Sequence, residues 1–274
     1  DHAIRLVRFD NAGETEAVQK FQRSDFLAFH QKEYLSKNTI VIVAGSFKQS
    51  DAEKNVEELF GMMPSGETMS FAPWTGSVAS TKIRVKEKDA EQSHLCLAME
   101  SLKKTDPKRY ALSLLNIILG SGFSSRLFQK IREEQRIAYY IDSDADPYTD
   151  TGIFTVTAGV NNEKLGLAIT SILKELEKLR QISVTGKELR KAKDHLRGKL
   201  AIGLEESLDQ AMFYGQSLLL ENRVRTVSEI MQSIEKVTSD EVKDVANKIF
   251  VPDNYKLAVA GKGIDKEKIE KFLI

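Results

Sequence analysis

With one cysteine, Cys96, this 274-residue chain has no internal disulfide and no cysteine-rich metal site. Neither sign of charge dominates. Lys and Arg number 40, Asp and Glu number 40, and the isoelectric point is near 7.1. That balance speaks against the broad basic footprint of a nucleic-acid binder. No run approaches the ~20 apolar residues that a membrane-spanning helix needs. A signal-like segment is lacking too, and with the lone cysteine this points to the cytoplasm. The chain opens on Asp1 rather than Met, and its first stretch has little strand or helix grammar, as if it began inside a domain. What is present is ordinary for a folded protein: 41% hydrophobic and 29% charged residues, with many helix formers, which predicts a helix-rich α+β fold.

From Ser24 the pattern sharpens. Ser24 is placed to cap a helix through DFLAFHQKEYL, and Ser36–Asn38 breaks it. The β-branched run Thr39–Gly45 reads as a buried strand, and a second helix covers about Ser50 to Phe60 before Gly61 and Pro64. Near the C-terminus the same order recurs. A helix opens on the capping-box pair Thr238 and Glu241, VPDN breaks it, Tyr255–Gly261 is an apolar strand, and another helix follows. Asn38 answers Asn254, and Gly45 answers Gly261. The two copies suggest a tandem repeat of about 215 residues, within ordinary domain size. The first copy would then need about 135 further residues upstream. The expected division is the tail of a first, catalytic-type repeat over residues 1–62, a linker over 63–81 anchored by Phe71 and Trp74, and a complete second repeat over 82–274. Strands near 82–87, 93–99, 138–144, 152–160 and 255–260, with helices over most of 163–249, predict a sheet with helices mostly on one face.

Several residues invite catalytic readings that their surroundings weaken. HQKEY, His30–Tyr34, has one imidazole where a helical zinc motif needs two at i and i+4, so a solvated helix face is the better reading. His94 sits in a strand and His195 in a charged helix, neither with a histidine partner nearby. Cys96 sits among apolar strand residues, where a free thiol usually packs. The basic stretch Leu189–Lys199 is interrupted by Leu189, Ala192 and Leu196, as on a solvated helix face. GSGFSS, Gly120–Ser125, lacks the Lys-Ser/Thr ending of a phosphate loop.

The richest stretch is Ile118–Asp142, where glycines, serines, arginines and tyrosines crowd together. Gly120, Gly122, Ser124–Phe128, Arg132–Tyr139, and then Tyr148, Asp150 and Gly152 resemble the second-domain signature of the pitrilysin/insulinase family of zinc metallopeptidases, closest to its processing-peptidase-like branch. The strand Gln92–Leu97, the segment Lys187–Leu200, Leu204–Ser207 and the strand ending at Gly261 agree with it in order, so the resemblance covers nearly the whole chain. It implies a tandem α+β fold whose first copy is truncated here. It also implies zinc held by a His-x-x-Glu-His motif and a distal glutamate in the first domain, with the motif's Glu as general base on a zinc-bound water. The second domain is implied to bind no metal. It supplies an Arg and a Tyr, matching Arg132 and Tyr139, that hydrogen-bond substrate carbonyls, with the turn Gly120, Gly122, Ser124 and Ser125 positioning the helix that presents Arg132. A guanidinium fork and a directed phenol suit a developing oxyanion. The plain alternative is that Arg132 pairs with Glu133 or another acid and Tyr139 packs on the sheet. Two departures stand out. The zinc motif is not in this sequence, and the family's Arg-Gly-Leu stands as Arg136-Ile137-Ala138, with Ile137 in the glycine's place.

Two functional readings stay open. One is the substrate-binding, C-terminal half of a zinc endopeptidase acting on peptides or unfolded protein, completed by an N-terminal half or a homologous zinc-bearing subunit, in a homo- or heterodimer. The other is a non-catalytic subunit that serves as a scaffold beside such a partner. On either, the segment alone carries neither zinc nor activity.

Overall fold

Residues 12–67, 73–74 and 82–272 are described in the computed structural model. Most of the expected linker over 63–81, Phe71 included, lies outside them. In chain order the described helices begin with α1 (Thr15–Val18), α2 (Arg23–Glu33) and α3 (Gln49–Phe60). Strands β1 (Ile83–Glu87) and β2 (Gln92–Glu100) follow, then α4 (Arg109–Leu119), β3 (Ala138–Pro147) and β4 (Gly152–Asn161). The remainder is α5 (Leu165–Gln181), α6 (Gly186–Ile202), α7 (Ser207–Glu221), α8 (Val227–Lys236), α9 (Ser239–Ile249), β5 (Lys256–Gly261) and α10 (Lys266–Glu270). The chain divides into two units, one of residues 1–77 and 203–224, the other of 78–202 and 225–274.

The first unit holds α1, α2, α3 and α7. Helix α2 starts at Arg23, not after Ser24. Its cap is Gln22, whose backbone N–H donates to Asp25 Oδ2 at 2.8 Å. His30 and Tyr34 stack at 4.5 Å on the exposed side of the helix. The expected strand Thr39–Gly45 is not one. A β-branched run has the propensity, but a strand exists only where a neighbour takes its N–H and C=O groups. Among the described residues no strand pairs with it, and Ile40–Val43 are 37–46% exposed. Leu35 is the one buried residue among the described residues of this unit.

The second unit is built on a five-stranded sheet in the order β1-β5-β2-β4-β3. β1 and β5 run parallel, and the other neighbours are antiparallel. All five strands fall where alternation places them, and that alternation sorts the faces. Leu95, Leu97 and Met99 of β2 are buried beside Phe154, Val156, Ala158 and Val160 of β4 and Leu257 and Val259 of β5. Against this face lie Leu114, Leu115 and Leu119 of α4, Ile172, Leu176 and Leu179 of α5, and Val242, Val245 and Ile249 of α9. Phe154 meets Phe250 edge to face at 5.3 Å. The other sheet face carries His94, Cys96, Ala98, Thr155 and Thr157, all exposed or half-buried. Three helices open on Thr-x-x-Glu caps, Thr185 with Glu188, Thr226 with Glu229, and Thr238 with Glu241, the last of them the capping box read above. The unit is thus the α+β sheet with helices on one face.

Candidate functional site

The stretch after α4 is built from close approach and turn. Gly120 ends the helix where a Cβ would lie 2.6 Å from the Ser143 backbone nitrogen, so only glycine lets α4 meet β3 there. Ser143 Oγ completes that junction by donating to Asn116 Oδ1 at 2.6 Å. Gly122 takes φ 102, the left-handed region that favours glycine. Ser124 is exposed, whereas Ser125 is buried. The Ser125 N–H donates to Gly122 O at 3.1 Å, and its carbonyl accepts from Gln129 N at 3.0 Å, so it closes the turn and opens the next helix. Its hydroxyl is buried with no hydrogen-bond partner among the described residues.

That helix begins at Arg126 and widens into a π-helix over Phe128–Glu134. Leu127 and Ile131 are fully buried and fix its inner side. Arg126 clamps its start, with Nε 2.9 Å from Glu188 Oε1 and Nη2 3.2 Å from Glu188 Oε2. Glu188 also accepts from the Thr185 backbone and hydroxyl at the head of α6. Burial alone would raise this carboxyl, but the bonds from Arg126 and Thr185 outweigh it and hold it below its usual value. Two motifs 62 residues apart are therefore one contact.

The π-helix ends through wide hydrogen bonds, Gln135 N to Lys130 O and Ile137 N to Ile131 O, each 3.1 Å. Between them Arg136 takes φ 53. The residue in the glycine-favouring conformation is Arg136, one position past the C-cap Gln135, while Ile137, which stands where the family has glycine, is buried in the core. A bulge follows: Ala138 pairs with Val160 and Tyr140 with Gly159, so Tyr139 is the extra, unpaired residue. Its side chain is 55% exposed.

These irregularities bring Arg132 and Tyr139 to the same place. Both line a cavity of about 370 Å³ whose wall also includes Glu133, Arg136, Asn161 and Lys164. Arg132 makes no ion pair with Glu133 among the described residues; its guanidinium lies 4.8 Å from the Phe128 ring centroid. Tyr139 is more than half exposed. Three cations and one carboxylate make the cavity positive, with hydrogen-bond donors suited to carbonyl or carboxylate oxygens. Gly120, Gly122, Ser124 and Ser125 stand outside it, at the far end of the helix. Asn161, Arg136 and Lys164 are site residues that sequence spacing does not reveal; the β3–β4 pairing brings Asn161 and Lys164 there. Among the other candidates, His195 is exposed on α6, and burial pushes the Cys96 thiol up and leaves it protonated. Among the described residues no group of three His, Cys, Asp or Glu side chains is placed to hold a metal ion, and no helix is long and apolar enough to cross a membrane.

Residues 20–196 match the family described as "Peptidase M16 inactive domain". Among curated relatives, an "Uncharacterized zinc protease" of Mycobacterium tuberculosis is 31% identical over 264 residues, covering 95% of this chain and 60% of the relative. One of Rickettsia felis is 32% identical over 239 residues, covering 87% and 57%. The chain thus spans somewhat over half the length of these relatives. A crystal structure described as a peptidase M16 inactive domain from Pseudomonas fluorescens superposes with TM-score 0.85 at 23% identity, covering 93% of this chain and 61% of that one. A protease from Helicobacter pylori superposes with TM-score 0.81 at 23% identity, covering 91% and 61%. The two structures share the fold; the family match and the relatives' identity go further, and the chain belongs to the peptidase M16 inactive-domain family, the zinc-metallopeptidase kinship that Ser124–Tyr139 resemble.

Proposed function

We propose that this chain is the peptide-binding half of a zinc-dependent endopeptidase. The metal and its general base reside in the remainder of the protein or in a homologous zinc-bearing subunit. The observation that carries this reading is the convergence of Arg132 and Tyr139 on one positive cavity, through a π-helix and a β-bulge that a plain structural element would not need. The fork of Arg132 and the phenol of Tyr139 would hold an extended peptide by its backbone carbonyls. They would also stabilise negative charge as hydrolysis proceeds, while water attack is prepared elsewhere. The relatives' description as zinc proteases supports the same assignment. The scaffold reading has no particular observation in its favour.

The test is turnover of an unfolded protein substrate by the complete zinc-bearing enzyme carrying Arg132→Ala or Tyr139→Phe. Loss of one such donor is expected to lower kcat by about 100-fold. Unchanged turnover in both variants would remove these residues from the site.

A further inference from the structure

The sheet face opposite the helices carries a polar pair that the cavity does not use. His94 of β2 and Tyr140 of β3 are both register partners of Gly159 on the intervening β4. Their side chains meet over that glycine, with Tyr140 Oη 3.0 Å from His94 Nδ1 and ring centroids 6.0 Å apart. A Cβ at position 159 would lie 2.4 Å from Tyr140 Cε1, so Gly159 is what admits the ring. Burial first, then the nearby Asp142 and Cys96, raise the phenol's pKa, so it stays protonated and able to donate. A phenol that donates to Nδ1 leaves the imidazole proton on Nε2. His94 is exposed, and among the described residues Nε2 has no partner.

The placement of this pair relative to the cavity gives it a use. Asn161 on the cavity wall is two residues beyond Gly159 on the same strand and the same face. One pleat repeat separates them, about 7 Å, which is also the interval at which an extended peptide presents successive carbonyls on one side. We propose that His94, its tautomer fixed by Tyr140, is a substrate-positioning residue whose Nε2–H donates to a second backbone carbonyl, two residues along the peptide from the one held at Arg132 and Tyr139. This rests on the peptide-binding reading above.

The experiment is a fluorescence-anisotropy titration of the 274-residue chain with fluorescein-labelled β-casein, an unfolded protein. His94→Ala is expected to weaken binding about 3- to 10-fold, the effect of one neutral hydrogen bond. His94→Gln, whose amide N–H reaches the Nε2 position, is expected to restore most of that loss. Tyr140→Phe is expected to fall between, with thermal midpoints unchanged throughout. If His94→Gln binds as weakly as His94→Ala, or affinity simply follows thermal stability, the residue is structural and the proposal fails. If His94→Ala binds like the parent while Arg132→Ala does not, His94 is no anchor and the cavity reading stands. If the parent does not bind β-casein, or Arg132→Ala and His94→Ala both bind as the parent does, the peptide-binding reading falls and the proposal with it.

Discussion

Arg136 holds a backbone conformation that its own side chain disfavours. At φ 53 a residue with a Cβ costs about 1–2 kcal/mol relative to the right-handed helix, and glycine escapes most of that. The position is kept because it closes the π-helix and turns the chain into β3, while the guanidinium joins the cavity wall. Arg136→Gly is therefore expected to raise stability by about 0.5–1 kcal/mol in denaturant unfolding, net of glycine's larger unfolded-state entropy. Unchanged or lower stability would show that the arginine side chain contributes more than its backbone costs. Tyr255 offers a second test at this scale. Its buried hydroxyl donates to Phe250 O at 3.1 Å, and burial pushes its pKa from 10.0 up to about 12. A phenol with a raised folded pKa stabilises fully below its unfolded value, and that contribution is lost as pH rises between 10.0 and about 12. The parent is expected to lose about 2 kcal/mol of stability across that window, and Tyr255→Phe to show no such loss there. Equal alkaline slopes for the two would contradict it.

Among the elements, the Arg126–Glu188 clamp joins the start of the π-helical segment to the head of α6. Glu188 has a lowered pKa, so its contribution is present above the unfolded value of 4.5 and disappears as pH falls through the lower folded value. The pair is partly solvated, which limits its worth. Arg126→Ala is expected to cost about 1 kcal/mol near neutral pH and to cost little once the carboxyl is protonated. A loss that persists unchanged in acid would argue for packing rather than charge. The elements also show what a sequence discloses. The five strands and the capped helix after Thr238 were legible because alternation, helical spacing and a Thr-x-x-Glu box are local signals. The left-handed Arg136 and the Tyr139 bulge were not, because each is a single-residue departure that leaves no period behind. Thr39–Gly45 was misread for a different reason. Its composition is that of a strand, but whether a strand forms depends on a neighbour that propensity does not report. Of the site itself, Arg132 and Tyr139 came from resemblance. Lys164 and Asn161 came only from the register of β3 on β4.

For the whole molecule, the two units differ in how they are stabilised. The sheet unit has a continuous core. The unit of residues 1–77 and 203–224 instead leaves Phe26, Phe29, Leu208 and Met212 exposed, with Leu35 alone buried among its described residues. The central claim is that this chain binds peptide while the metal chemistry lies elsewhere. It is tested most directly by measuring hydrolysis of an unfolded protein, with zinc content determined in parallel, for the chain alone, the zinc-bearing part alone, and the two together. The account predicts stoichiometric zinc only in the zinc-bearing part and full hydrolysis only when both are present. Tightly bound zinc with hydrolysis in this chain alone, or full activity in the zinc-bearing part alone, would contradict it.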